Sequence, residues 1–149
     1  MLDALHAESG MSEHTPHSGT FHGGCHCGAV RFRAQVDPAQ GSVRCNCSLC
    51  ARIRRWAAIL APSAFELLEG EDALADYRFG RGVARHRFCR HCGVHVFAQN
   101  HVEELGGDYV SLSLACLDVA PQWLAAVPVA YLNGRDEDWA RPPAVTAHM

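Results

Sequence analysis

The sequence has no excess of positive charge: 13 Lys and Arg stand against 16 Asp and Glu, giving a formal net charge of -3 and a pI near 6.3. Proteins that grip phosphate backbones or anionic membranes usually carry a basic face, so neither nucleic acid nor a membrane surface is an expected partner. The N-terminus carries Asp3, Glu8 and Glu13 but no Lys or Arg before Arg31, and it lacks the charged start and apolar run of a secretion signal. Long apolar runs are also missing. The longest is Trp56 to Ala61, and the stretch from Leu124 to Leu132 is cut by Pro128, whereas a membrane helix needs roughly 20 apolar residues. These absences predict a soluble, cytoplasmic protein. Extended helical periodicity is lacking as well: only Ala115 to Val127 has room for more than a turn of helix, and Pro121 interrupts it.

What remains is a strand rhythm. Short apolar or alternating runs recur at Ala29 to Val36, Ile53 to Leu60, Phe65 to Leu68, Val83 to Phe88, Val94 to Phe97 and Tyr109 to Leu114. Turn residues separate them at Gly23 and Gly24, Asp37 and Pro38, Pro62 and Ser63, Gly80 to Gly82, and Gly106 to Asp108. With 149 residues and 48% apolar content, the chain is the size of one domain with a real core. The expected organisation is a disordered tail over 1–19, a mostly β domain over 20–143 built as two sheets or a partly open barrel, and a short tail over 144–149. Met11 is a second possible start.

Against this background, eight cysteines stand out. In a chain read as cytoplasmic they favour metal ligation over disulfides. The first cluster is Cys25-His26-Cys27-Gly28, whose two thiols share one face of an extended segment. The third, Cys89-Arg90-His91-Cys92-Gly93, is a tight knuckle that aims two sulfurs at one tetrahedral centre, with a glycine suited to the left-handed turn that follows. The middle cluster, Cys45-Asn46-Cys47-Ser48-Leu49-Cys50, can surround a metal with three sulfurs unaided. A redox role for the Cys-x-x-Cys would need a βαβ context that is absent.

Counting gives two pairs and one triplet, and the economical partition is a closed four-cysteine site plus an open three-cysteine site. Structural zinc sites are usually closed, whereas catalytic ones keep a position for water or substrate. A histidine or Cys116 brought in by the fold would instead close the triplet as a second structural site.

The three motifs, Gly24-Cys25-His26-Cys27-Gly28-Ala29-Val30-Arg31-Phe32, Cys45 to Cys50 and Phe88-Cys89-Arg90-His91-Cys92-Gly93, resemble the glutathione-dependent formaldehyde-activating enzyme family. The likeness extends to Leu117-Asp118, to Asn133-Gly134 and to Trp139. It implies a β-tent fold of stacked antiparallel sheets with zinc knuckles. It further implies two Zn2+ ions per chain, a structural one on Cys25, Cys27, Cys89 and Cys92 and a catalytic one on Cys45, Cys47 and Cys50. The implied activity is that of a carbon-sulfur lyase, in which a small thiol such as glutathione and formaldehyde or another small aldehyde are the partners and condense to S-hydroxymethylglutathione or its analogue. A chromatin-associated branch of the family carries an extended basic segment that residues 1–19 do not have.

Around the motifs, Arg44, Arg52, Arg54 and Arg55 flank the triplet. In a strand, Arg52 and Arg54 would share a face and pair with the carboxylates of a glutathione-like thiol; otherwise the arginines screen the zinc thiolates or sit in solvent. His86 and His95 bracket the third cluster, where each can supply a hydrogen bond to a metal ligand, a ligand of its own or a proton shuttle, or else be a satisfied structural histidine. His26 and His91 are expected to face solvent. Cys116 reads as a buried apolar thiol, and Trp56, Trp123 and Trp139 as core or pocket wall. A module that binds a thiol metabolite without turnover, and an interaction domain with two closed metals, are the competing functions.

Overall fold

The structure, a computed structural model, describes residues 16–149. Among the described residues, ten strands form two sheets. Strands β1 (Gly19–Gly24), β2 (Arg31–Val36) and β5 (Phe65–Glu69) make a small antiparallel sheet in the order β1-β2-β5. The larger sheet holds β3 (Ser42–Cys45), β4 (Trp56–Leu60), β6 (Leu74–Tyr77), β7 (Arg85–Cys89), β8 (His95–Val102), β9 (Gly107–Ser113) and β10 (Val129–Leu132). Its order is β10-β3-β4-β9-β8-β7-β6, antiparallel throughout except for the β10–β3 pair. Two short helices interrupt it, α1 (Ser48–Ile53) and α2 (Pro121–Ala125). The fold is therefore mostly β, with stacked antiparallel sheets and cysteine clusters at strand ends that can form zinc knuckles.

Alternation explains the stacking. In β2, Phe32, Ala34 and Val36 are buried while Arg33 and Gln35 are exposed, so a single face can meet a partner sheet. That partner face carries Phe97, Leu112, Ala58 and Leu60. Phe65 bridges the two layers, with its ring 5.5 Å from Phe32 and 4.5 Å from Phe97. Removing each such side chain from water contributes about 1.5–3 kcal/mol, which makes this interlayer row the main stabilising feature of the core.

The strand runs from Phe65, Val83, Val94 and Tyr109 appear close to their expected places. Pro121 starts α2 instead of interrupting a helix, because its missing N–H is no loss at a first helical position. The run from Ile53 to Leu60 is divided: Ile53 ends α1, Arg54 adopts a left-handed conformation (φ 52°), and the strand starts at Trp56. Of the expected N-terminal tail, residues 1–15 lie outside the described residues. Gly19 is already paired with Val36, and the His17 carbonyl accepts a hydrogen bond from Trp123 Nε1 at 3.1 Å.

Candidate metal centres and the adjoining cavity

Cys25 and Cys27 lie in the β1–β2 turn, whereas Cys89 ends β7 and Cys92 lies in the β7–β8 turn. A register shift at Arg87 and Phe88 bends the end of β7 just before Cys89. Gly28 (φ 84°) and Gly93 (φ 76°) supply the left-handed turns that close the two knuckles. The four sulfurs lie within 4.8 Å of one another, with Cys25–Cys27 and Cys27–Cys89 both at 3.6 Å. A tetrahedron with metal–sulfur arms of about 2.3 Å has edges of about 3.8 Å, so the quartet fits one metal ion with the donor set of a closed zinc site. It joins the small sheet to the large one.

The triplet is built differently. Cys45 is the last residue of β3, Cys47 is the N-cap of α1, and Cys50 is buried in its first turn. Cys47 Sγ accepts the Cys50 amide at 3.4 Å, and Cys45 Sγ accepts the Cys47 amide at 3.4 Å. The three sulfurs also lie within 4.8 Å of one another, and among the described residues no fourth His, Cys, Asp or Glu joins them. Cys116 is elsewhere, buried, with its thiol 3.7 Å from the His95 carbonyl. Hydrogen bonds from the Cys45 and Cys50 thiols hold Cys47 far below the usual thiol range, while hydrogen bonding with Cys45 and Cys47 pushes Cys50 up. One sulfur is thus disposed to be anionic before any metal arrives.

A loop seals one side of the triplet. Asn46 Nδ2 donates to Asn133 Oδ1 (2.9 Å), Asn133 Nδ2 donates to Asp136, and the Arg135 amide donates to Asn46 Oδ1 (2.9 Å). A Cβ on Gly134 would lie 2.7 Å from Cys45 Sγ and 3.0 Å from both Cys47 Cβ and Trp139, so only glycine lets the loop approach this closely.

The other side opens into a cavity of about 220 Å³ on the face of the large sheet opposite the core. Strand register explains its floor. His86 is paired with Ala98, Ala98 with Ser111, and Ser111 with Ile59, so these four point to one side. Val43 and Cys45 continue that face through the Val43–Ala57 pair. Tyr109 and Asn100 lie two residues further along, joined by an Asn100 Nδ2 bond to the Tyr109 hydroxyl at 2.8 Å.

Arg55 also lines this cavity. Its Nη2 donates to the Ser111 carbonyl (2.7 Å), and its Nη1 lies 3.1 and 3.3 Å from the His95 ring nitrogens. Burial lowers its pKa, which the Cys50, Cys47 and Cys45 sulfurs oppose. Burial and the Arg55 charge, with His86 beside it, bring His95 down to about 3, and His86 is lowered by burial and by Arg55. Both histidines are neutral at pH 7. They flank the third cysteine cluster in sequence, yet His86 faces the cavity beside the second. Arg52 and Arg54 are exposed at the end of α1, Arg52 returning to the Ser48 carbonyl at 2.7 Å, so they do not share a strand face. Arg55 was one of the four arginines that flank the triplet in the sequence, whereas Asn100, Tyr109 and Ser111 carried no signal there. His26 and His91 are exposed and Trp123 is buried, as expected, while Trp139 forms part of the cavity wall.

A mostly β chain that gathers four thiols into a closed quartet and three into a triplet beside a cavity has the make-up of a cysteine-ligated metal protein. Residues 20–132 match the model of a family described as glutathione-dependent formaldehyde-activating enzyme, and the chain belongs to that family. A Rhodobacter sphaeroides protein of known crystal structure is similar to it, with 33% sequence identity and a TM-score of 0.61, over 73% of this chain and 99% of the other.

Proposed function

We propose that the chain is a zinc-dependent carbon-sulfur lyase-type enzyme that joins a small thiol, such as glutathione, to formaldehyde or another small aldehyde. The observation that carries this reading is the triplet, which has three sulfurs, no fourth protein ligand among the described residues and a cavity beside it. In the proposal Cys25, Cys27, Cys89 and Cys92 hold a structural zinc and Cys45, Cys47 and Cys50 a catalytic one. Zinc at the triplet would bind an incoming thiol and lower its pKa so that the thiolate is available at neutral pH. The eight free thiols suit a reducing compartment, and the cytoplasm is the proposed location. No helix among the described residues is long and apolar enough to cross a membrane.

The residues of the chain account for charge and position. Three thiolates around a divalent ion leave a net charge of -1, and a thiolate from substrate would make it -2. Arg55 is a partly buried cation with no carboxylate partner among the described residues, and the triplet sulfurs are its anionic neighbours. It offsets this charge, and the Ser111 carbonyl and His95 fix its guanidinium in place. Arg55→Met is therefore expected to weaken zinc binding at the triplet by about 10- to 100-fold in chelator competition, the range seen for outer-shell partners. Arg55→Lys should recover part of the loss, and Arg52→Ala with Arg54→Ala should change it little.

The activity is tested by following exchange between glutathione, formaldehyde and their hemithioacetal by NMR with trace zinc-loaded protein. Enzymatic action requires a rate that rises in proportion to protein above the spontaneous reaction. A rate equal to that of buffer, with thiol bound stoichiometrically, would replace the enzyme with a thiol-binding module.

A further inference from the structure

Formaldehyde occupies little of the space beside the triplet. The cavity of about 220 Å³ corresponds to roughly seven water-sized volumes, below the ~300 Å³ at which sites for drug-sized ligands begin. Its walls are mainly carbon, from Val43, Ile59, Phe79, Ala84, Ala98 and Leu132. Three of its lining residues are large apolar side chains left open to solvent, Ile59 at 43%, Phe79 at 42% and Trp139 at 63%. Exposed apolar groups converging on one concavity mark a place where a ligand supplies the missing cover. Phe79 is backed by stacked rings on both sides, Tyr77 at 6.0 Å and His86 at 5.8 Å, so the wall is held in place without a ligand.

Polar capacity in this space is small. His86 is 8% exposed, and its Nδ1 has no hydrogen-bond partner among the described residues. That nitrogen has essentially no accessible surface, so it is closed off from the cavity and offers an incoming ligand no hydrogen bond. The guanidinium of Arg55 is already engaged by the Ser111 carbonyl and His95. Carboxylates and the ammonium group of a peptide thiol therefore find little to pair with inside and stay at the mouth.

We infer that the aldehyde partner carries a compact hydrophobic substituent, alkyl or aryl, which fills this cavity. The inference rests on the thiol–aldehyde reading above and narrows its substrate class. In the step itself, the C–S bond forms as the carbonyl π bond breaks, and the proton lost by the thiol ends on the former carbonyl oxygen. Nothing is oxidised or reduced. The product is a hemithioacetal.

The test uses zinc-loaded protein, glutathione at fixed concentration, and formaldehyde, butanal, benzaldehyde or decanal, each rate divided by its spontaneous rate. We expect kcat/KM for butanal or benzaldehyde to exceed that for formaldehyde by about 10-fold or more, since each methylene seated in an apolar pocket is worth 10- to 200-fold. Decanal, too long for the space, should fall back. Ala84→Leu, which narrows a half-buried wall, should reduce the benzaldehyde-to-formaldehyde ratio. A flat series, or one led by formaldehyde, overturns the inference and leaves the carbon-sulfur reading standing. Absence of acceleration with every aldehyde removes that reading, and the inference with it.

Discussion

Cys89→Ser is expected to leave the chain unfolded at 25 °C. Cys89 is fully buried at the end of β7, and its sulfur lies 3.6 Å from that of Cys27, which is 62 residues earlier, in the turn joining two strands of the other sheet. A structural zinc bound by four thiolates is worth about 10–16 kcal/mol at neutral pH, similar to or greater than the whole stability of a domain, about 5–15 kcal/mol. Losing one ligand removes much of that, and the serine hydroxyl left behind is a buried polar group with no metal to satisfy it. The small sheet, with three strands, buries its face against the large one and, through Phe21, against Trp123 of α2, so the joint between the sheets is where such a loss spreads. Near-UV circular dichroism and thermal melting test this directly. A Cys89→Ser protein that melts cooperatively within a few degrees of the parent would show that the interlayer aromatic row, not the quartet, holds the sheets together.

The same quartet was the most legible part of the sequence. Its knuckles are local, each cysteine pair is followed by a glycine in the left-handed region, and only the meeting of the two knuckles required the fold. Alternation likewise exposed β2, β5, β7, β8 and β9. Helix α1 was hidden because six residues cannot display a helical period, and its start signal is an unusual one, a cysteine sulfur capping the Cys50 amide. That single concealed turn misplaced Arg52 and Arg54 and obscured Arg55, the arginine that enters the site. Strands β3, β6 and β10 are four residues each, too short to show a period of two against noise. The cavity floor is a different kind of omission. His86, Ala98, Ser111 and Ile59 belong to four strands and become neighbours only through register, which hairpin and crossover geometry sets and local composition does not.

Cys47→Ser should separate chemistry from folding. Serine is among the best N-cap residues, and its oxygen can accept the Cys50 amide that Cys47 Sγ now accepts at 3.4 Å, so α1 keeps its first turn. The Asn46–Asn133 side-chain bond involves no sulfur, and Gly134 lies against Cys45 Sγ and Cys47 Cβ, which the substitution leaves in place, so both are retained as well. What is lost is the sulfur whose thiolate its neighbours favour most strongly, and a neutral hydroxyl does not replace a thiolate on zinc. The expected result is a protein with a melting temperature within a few degrees of the parent, zinc content reduced from two ions per chain to one, and hemithioacetal exchange at the spontaneous rate. The contrast with Cys89→Ser carries the argument: seven similar thiols divide into four whose loss is read in stability and three whose loss is read in rate. Should Cys47→Ser unfold as readily as Cys89→Ser, the triplet is a second structural clamp. Full exchange activity in a folded Cys47→Ser protein would instead move the reaction away from the triplet altogether.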